Sequence, residues 1–353
     1  MSLSIGIVGL PNVGKSTLFN ALTKNKAPSS NYPFCTIDPN IGIVSVPDKR
    51  LAKLAKISCP EKVIPTTIEF IDIAGLVKGA HKGEGLGNKF LSHIRECDAI
   101  CEVVRNFEDD NITHVSGKVD PESDKETINL ELIFADMETI EKRLASIGRE
   151  ARSQDKDAIA MQNLLNKLKP HLEQGHAVRN LEFSQEEKIL IKELNLLSIK
   201  PIIYVLNCND SSKIIEKNWD GKVLVLNAKL GADISELPES EQGEYIRELG
   251  LDQSDLDKLI HASYELLDLI TYFTTGPKET RAWTIKRNTL APQAASKIHT
   301  DFEAGFIRAE VIKWEDFVRS GGEAKTRARG LLRIEGKNYI MQDGDVCHFL
   351  VEK

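Results

Sequence analysis

Residues 9–17 read Gly-Leu-Pro-Asn-Val-Gly-Lys-Ser-Thr, the spacing G-x-x-x-x-G-K-[ST] that suits a triphosphate. Glycine at positions 9 and 14 lets the backbone N–H groups turn inward around a phosphate with no Cβ in the way. Lys15 would supply a cation to the β- and γ-phosphates, and the Ser16 hydroxyl a ligand for Mg²⁺. Asn12, Val13, Gly14 and Thr17 complete the expected nucleotide contacts. A second constellation is Asp72-Ile73-Ala74-Gly75. Here the Asp72 carboxylate would hold a water on Mg²⁺ and the Gly75 N–H would meet the γ-phosphate. Between the two lies a proline-containing stretch, Ala27 to Thr36, in which Thr36 is the candidate Mg²⁺ ligand and γ-phosphate sensor. A third group, Asn207-Cys208-Asn209-Asp210 with Asn227-Ala228-Lys229, has the residue types that read a base.

These residues need elements that bring them to one edge. Ile5–Val8, Thr67–Ile71, Ala99–Val104, Pro201–Leu206 and Lys222–Leu226 read as strands, and Ser16–Leu22 opens a helix whose N-terminal dipole faces the phosphates. This predicts an α/β fold of the P-loop NTPase, G-protein-like kind. The hydrophobic period then changes. Ile133, Met137, Ile140, Leu144 and Ile147 step 4-3-4-3, and Met161, Leu165, Leu168 and Leu172 resume at 4-3-4 after a polar interruption at 152–156. Two such seams predict an inserted antiparallel helical coiled coil, followed by a helix capped by Ser184 and Glu187. The α/β part is expected to close with a helix over Leu259–Phe273. After a break at Thr274–Pro277, strands at Arg281–Ile285 and Val346–Val351 flank a helical stretch near Pro292–Phe302, which predicts a small C-terminal α+β domain. The expected division is 1–124 with 198–275, an insert at 125–197, and 276–353.

The 353 residues carry a net charge of −7, with 41% hydrophobic and 28% charged residues, the composition of a soluble globular protein. No run approaches the ~18 apolar residues of a membrane span. The first strand starts too early to leave room for a secretory leader. Six cysteines without a C-x-x-C pair argue for reduced thiols in the cytosol over a disulfide framework or zinc site. From Gly276 onward there are 14 Lys/Arg against 11 Asp/Glu, so this part is net positive while the remainder is acidic. It is the piece suited to approach a polyanion.

With these motifs laid out, the chain resembles the Obg-like ATPase family (YchF-type). The resemblance spans the P-loop, Asp72-Ile73-Ala74-Gly75-Leu76, the inserted coiled coil, and a TGS-like segment that includes Tyr272–Glu279 and Arg281–Thr284. It implies hydrolysis of ATP or GTP as a molecular switch, Mg²⁺, and association with the ribosome and its RNA through the C-terminal domain and the coiled coil. It also implies a cytoplasmic monomer that binds neither DNA nor membrane. Leu76 stands where Ras-like GTPases carry a water-orienting glutamine, and the resemblance points instead to His114 as the catalytic residue. Asn12 stands where related NTPases coordinate K⁺. One position departs from the family: Asp210 ends a base-reading motif that usually ends in Glu. With Cys208 in place of the lysine of guanine readers, adenine is expected to be accepted at least as well as guanine, its N6 read by Asn207 and nearby carbonyls. The competing readings are a GTP-preferring GTPase, a P-loop kinase with a small acceptor substrate, and a nucleotide-gated RNA-binding scaffold without hydrolysis. Cys35, beside Thr36, is a further candidate as an oxidation-sensitive thiol.

Overall fold

Strands buried along their whole length need both sheet faces covered, and three such strands form the centre of the first sheet. The computed structural model describes residues 3–24, 40–73, 88–109, 111–114, 117–151, 155–210, 218–251 and 253–352. The strands are β1 (Ser4–Val8), β2 (Ile41–Ser45), β3 (Lys62–Ile64), β4 (Thr67–Asp72), β5 (Ala99–Arg105), β6 (Ile202–Asn207), β7 (Lys222–Leu226), β8 (Leu269–Thr275), β9 (Glu279–Lys286), β10 (Phe306–Lys313), β11 (Arg333–Glu335) and β12 (Asp345–Val351). The helices are α1 (Lys15–Lys24), α2 (Lys49–Ser58), α3 (Asn88–Glu96), α4 (Pro121–Ala151), α5 (Lys156–Glu173), α6 (Gln185–Leu194), α7 (Ala228–Glu236), α8 (Glu239–Glu248), α9 (Asp255–Leu266), α10 (Ala291–Ala295), α11 (Asp301–Ala304), α12 (Trp314–Ser320) and α13 (Glu323–Ala328).

The first sheet has the order β2-β4-β1-β5-β6-β7. Only β2 runs antiparallel to its neighbour, so the other five strands end along one edge. Every residue of β1, β5 and β6 is buried. In an open parallel sheet of this kind, ligands bind in the crevice beyond the carboxyl ends of the strands. That edge carries Val8, Asp72, Arg105, Asn207 and Leu226.

The inserted helices follow the two seams. Ile133, Ile140 and Ile147 on α4 pack with Met161, Leu165, Leu168 and Leu172 on α5. The expected capping box at α6 forms in both directions, with Ser184 Oγ accepting from Glu187 N at 3.2 Å and Glu187 Oε2 from Ser184 N at 2.8 Å. A buried carboxylate ties the insert to the sheet. Asp136 on α4 accepts from Leu197 N (2.7 Å), Ser198 N (2.8 Å) and Ser198 Oγ (2.6 Å), just ahead of β6.

The second sheet, in the order β11-β10-β12-β8-β9-β3, corrects the expected boundary at Gly276. The helix expected over Leu259–Phe273 stops at Leu266, and Leu269–Thr275 is a strand. Its sequence, Leu-Ile-Thr-Tyr-Phe-Thr-Thr, is rich in β-branched and aromatic residues, and Asp268 at φ 53° breaks the helix before it. The sheet also borrows from the other end of the chain. β3 pairs parallel with β9, and Leu51 and Leu54 of α2 pack against Phe273, Ile312 and Phe317. Arg50 links Asp48, the N-cap of α2, to Asp343 at 2.6 Å. Among the described residues, no helix is long and apolar enough to cross a membrane.

One buried group in the first sheet has an energetic consequence. Glu102 on β5 is 1% exposed, and among the described residues neither carboxyl oxygen has a hydrogen-bond partner. Burial pushes its carboxyl well above the ordinary range, against the pull of Arg179 and Lys125, with Asp220 and Asp124 adding to the rise. Folding therefore takes up a proton at pH values above the unfolded value of ~4.3, and stability falls as pH rises from there toward the folded value. Glu102→Gln keeps the neutral form at every pH. Urea midpoints measured at pH 5 and pH 8 should move apart in favour of the variant at the higher pH. A gap that stays constant or reverses contradicts a neutral Glu102.

Candidate nucleotide-binding site

The loop from Gly9 to Gly14 joins β1 to α1 through backbone that only certain residues adopt. Asn12 (φ 64°) and Gly14 (φ 100°) lie in the left-handed region. A Cβ on Gly14 would fall on the amide nitrogen of Asn207, and one on Gly9 would fall on the carbonyl of Val103. Both glycines are thus demanded by close approach as well as by φ.

Lys15 is 8% exposed, and its Nζ donates to Leu10 O at 2.7 Å across the loop. Burial lowers its ammonium to about 8, while Asp72 pulls it upward. Ser16 Oγ donates to Asp72 Oδ2 at 3.4 Å, so strand β4 brings the second motif onto the first. Burial raises the Asp72 carboxyl, opposed by Lys15 and the Ser16 hydroxyl. A hydroxyl and a carboxylate at this separation are hard oxygen donors that fit Mg²⁺, whose remaining shell would be phosphate oxygens and water. Among the described residues, no group of three His, Cys, Asp or Glu side chains forms a competing metal site. Thr36, Gly75, Leu76 and Cys35 lie outside the described residues.

Asn207, at the end of β6, reaches across to the phosphate loop. Its Nδ2 donates to Val13 O at 3.0 Å and its Oδ1 accepts from Ala228 N at 3.0 Å. The side chain is 6% exposed, and both ends of its carboxamide are engaged within the protein. Asn207 thus fixes the phosphate loop to the start of α7. Val13 and Ala228, both buried, take part through these backbone atoms. Asn227 holds the neighbouring turn, accepting from Leu230 N at 3.0 Å as the cap of α7 and donating to Asn209 O at 2.8 Å. Cys208 likewise turns away from the crevice. Its thiol is packed with Val104, Leu206 and Trp219, and accepts from Asn106 Nδ2 at 3.2 Å. Asp210 and Lys229 are exposed at the rim, where a base would lie.

His114 is buried. Its Nε2 lies 2.9 Å from Asp124 Oδ2 on the first turn of α4, both side chains being 5% exposed. Burial raises the Asp124 carboxyl, and His114 opposes the rise. Asn12 Nδ2 donates to Thr113 O at 3.1 Å, which brings the tip of the phosphate loop to the residue before His114. Arg105 and Asp124 were not legible in the sequence. Arg105 is 2% exposed and donates to the carbonyls of Phe107 (3.1 Å), Ile112 (3.0 Å) and Asp109 (3.4 Å), so it organises the segment that leads to His114. An arginine at the end of an apolar strand was the available signal, but nothing in its type says that it turns inward.

Residues 4–167 match a family described as 50S ribosome-binding GTPase, and residues 269–352 match YchF-GTPase_C, described as a protein of unknown function. A protein named Ribosome-binding ATPase YchF from Bacillus subtilis (strain 168) is 55% identical, with 99% of each chain covered. Another of that name from Escherichia coli O157:H7 is 52% identical over the same shares. The solved structure of the Schizosaccharomyces pombe YchF GTPase superposes with a TM-score of 0.89 at 38% identity, covering 99% of this chain and 98% of that one. Full-length identity, the shared fold and the phosphate loop set against Asp72 lead to one conclusion: the chain belongs to the YchF family of P-loop NTPases.

Proposed function

We propose that this protein is a ribosome-associated nucleoside triphosphatase that hydrolyses ATP, and also GTP, as a translation- or stress-linked switch. The observation that carries the reading is the convergence of Lys15, Ser16 and Asp72 at the carboxyl edge of the sheet, locked by Asn207 to the start of α7. The relatives named above as ribosome-binding ATPases support both the reaction and the partner. Lys15 binds and orients the β- and γ-phosphates, and Ser16 and Asp72 would hold Mg²⁺. When bound, the ion neutralises charge on the transferring phosphoryl group. The backbone of residues 12–16 cradles the phosphates at the N-terminus of α1. Asn12, at the loop tip, is proposed to carry K⁺ there. His114 is proposed to act on the attacking water from the segment that Asn12 touches, with Asp124 orienting its ring.

The C-terminal sheet is proposed to approach ribosomal RNA through its basic residues. Of its candidates Lys278, Arg281, Lys325, Arg327 and Arg329, Arg327 is committed to Glu310 and Glu323 at 2.6 and 3.3 Å and Arg281 lies 4.0 Å over the Trp283 ring, which leaves Lys278, Lys325 and Arg329 as the better ones. The proposed protein is a cytoplasmic monomer.

Lys15→Ala should abolish phosphate release measured with no acceptor present, since the triphosphate loses its fixed cation. Normal turnover in that variant would remove the site. A P-loop kinase would release almost nothing without its acceptor even in the wild type, and a scaffold would release nothing above background.

His114→Ala should lower turnover by tenfold or more while nucleotide affinity changes little, because the proposed contact forms as water attacks. Equal losses of affinity and rate would make His114 a structural partner of Asp124 and nothing more.

The relatives' names divide between ATPase and GTPase, so the base needs its own test. With Cys208 packed inside the protein and one N–H of Asn207 given to Val13 O, the second N–H of Asn207, the exposed Asp210 and backbone carbonyls remain to meet the base edge. Competitive titration should find ATP bound at least as tightly as GTP. A tenfold preference for GTP would show Asp210 accepting from guanine N1–H and N2–H in the base plane, a charge-assisted pair of roughly 1.5–3 kcal/mol.

A further inference from the structure

β8 and β12 run parallel in the middle of the second sheet, yet they are in register at a single pair, Phe273 and Val346. The strands are closed just before that pair. Gly344 N donates to Thr271 O at 2.8 Å, and Thr271 N to Asp343 Oδ1 at 2.9 Å. Beyond it no further pair joins them among the described residues. β12 runs on to Val351 with β10 as its ladder partner, and Thr274 and Thr275 of β8 pair with Arg281 and Thr280 of β9. A cavity of about 440 Å³ fills the fork, with Thr274 and Thr275 on one side and Cys347 and His348 on the other.

The chemistry of the fork is mixed. Phe302, Phe317 and Leu332 give it apolar walls. The hydroxyls of the two threonines already have partners: Trp283 Nε1 donates to Thr274 Oγ1 at 2.9 Å, and Thr275 Oγ1 to Ser58 Oγ at 2.8 Å. Polar recognition must therefore come from the edge of β12 that faces away from β10. Two carboxylates also line the cavity. Glu310, 9% exposed, and Glu323 share one guanidinium nitrogen of Arg327, which leaves the pair with net negative charge.

We infer that the fork between β8 and β12 receives a short extended peptide segment with an apolar side chain next to a lysine or arginine. An open strand edge recognises peptide backbone, and flanking pockets select alternate side chains. The volume lies in the range of ligand sites of ~300–1,000 Å³, enough for a few residues of extended chain. The carboxylate pair attracts a basic side chain and repels a phosphate backbone, so the fork itself takes peptide and not RNA. The site is separate from the nucleotide crevice and does not rest on the proposed reaction.

The test uses the full-length protein with two fluorescein-labelled hexapeptides, one alternating valine with lysine and the other valine with glutamate. Polarisation should show the lysine peptide binding at least tenfold more tightly. Hydrogen exchange followed by mass spectrometry should then show slowed amide exchange within Cys347–Val351. Glu323 is 45% exposed in its side chain, so Glu323→Lys should leave the fold intact and weaken the lysine peptide by tenfold or more. A saturating lysine peptide that leaves exchange in Cys347–Val351 unchanged overturns the proposal, because a basic peptide then binds elsewhere on an acidic protein. Affinity unaffected by Glu323→Lys overturns it as well. So does equal protection of the same amides by a poly-U oligonucleotide, which would make the fork an RNA site.

Discussion

The carboxamide of Asn207 is the contact on which the site depends. Val13 O and Ala228 N would otherwise be a backbone acceptor and a backbone donor facing each other across a gap between two loops. One side chain satisfies both, at 3.0 Å each, at the end of a fully buried strand. A planar group with one donor end and one acceptor end can do this, and a carboxylate, which only accepts, cannot. The same contact explains Gly14, whose missing Cβ leaves the space that the Asn207 nitrogen occupies. The phosphate loop, its glycine and the cap of α7 are therefore one hydrogen-bonded unit, and Lys15 and Ser16 inherit their positions from it.

A second layer of order comes from charged groups that turn inward. Arg105 gathers three carbonyls of the segment after β5, and Asp136 gathers three donors before β6. Both hold irregular backbone against the sheet, where water is excluded and an unsatisfied carbonyl or N–H would be costly. The imidazole–carboxylate pair of His114 and Asp124 belongs to the same layer, between the phosphate loop and the first turn of the inserted hairpin. A change at the base of α4 is thus one contact away from the segment that touches Asn12. Glu102 is the exception in this layer, since no group among the described residues meets its oxygens.

The spacing of Gly9 to Thr17, the strand before Asp72 and the two heptad seams were readable because each depends on local period or on a fixed motif. The capping box at Ser184 was readable for the same reason. The roles of Asn207 and Cys208 were not, because motif position says where a side chain starts and not which backbone atom reaches it first. His114 gave no sign of burial, since its partner Asp124 lies ten residues on, in another element. The start of the second sheet at Leu269 was misread because Leu259–Phe273 holds no Gly or Pro, and the left-handed Asp268 that divides it is neither. The contribution of α2 and β3 to that sheet is a long-range pairing, which no local pattern encodes.

Asn207→Asp tests the central contact most directly. The aspartate keeps an acceptor for Ala228 N but sets an oxygen against Val13 O in place of the donor. Dissociation constants for ATP and GTP should both rise by the same factor, at least tenfold, a loss of about 1.4 kcal/mol each, with the thermal midpoint of the nucleotide-free protein showing that the fold is kept. A change confined to one of the two nucleotides, with the other bound as before, would make Asn207 a base reader and contradict the account.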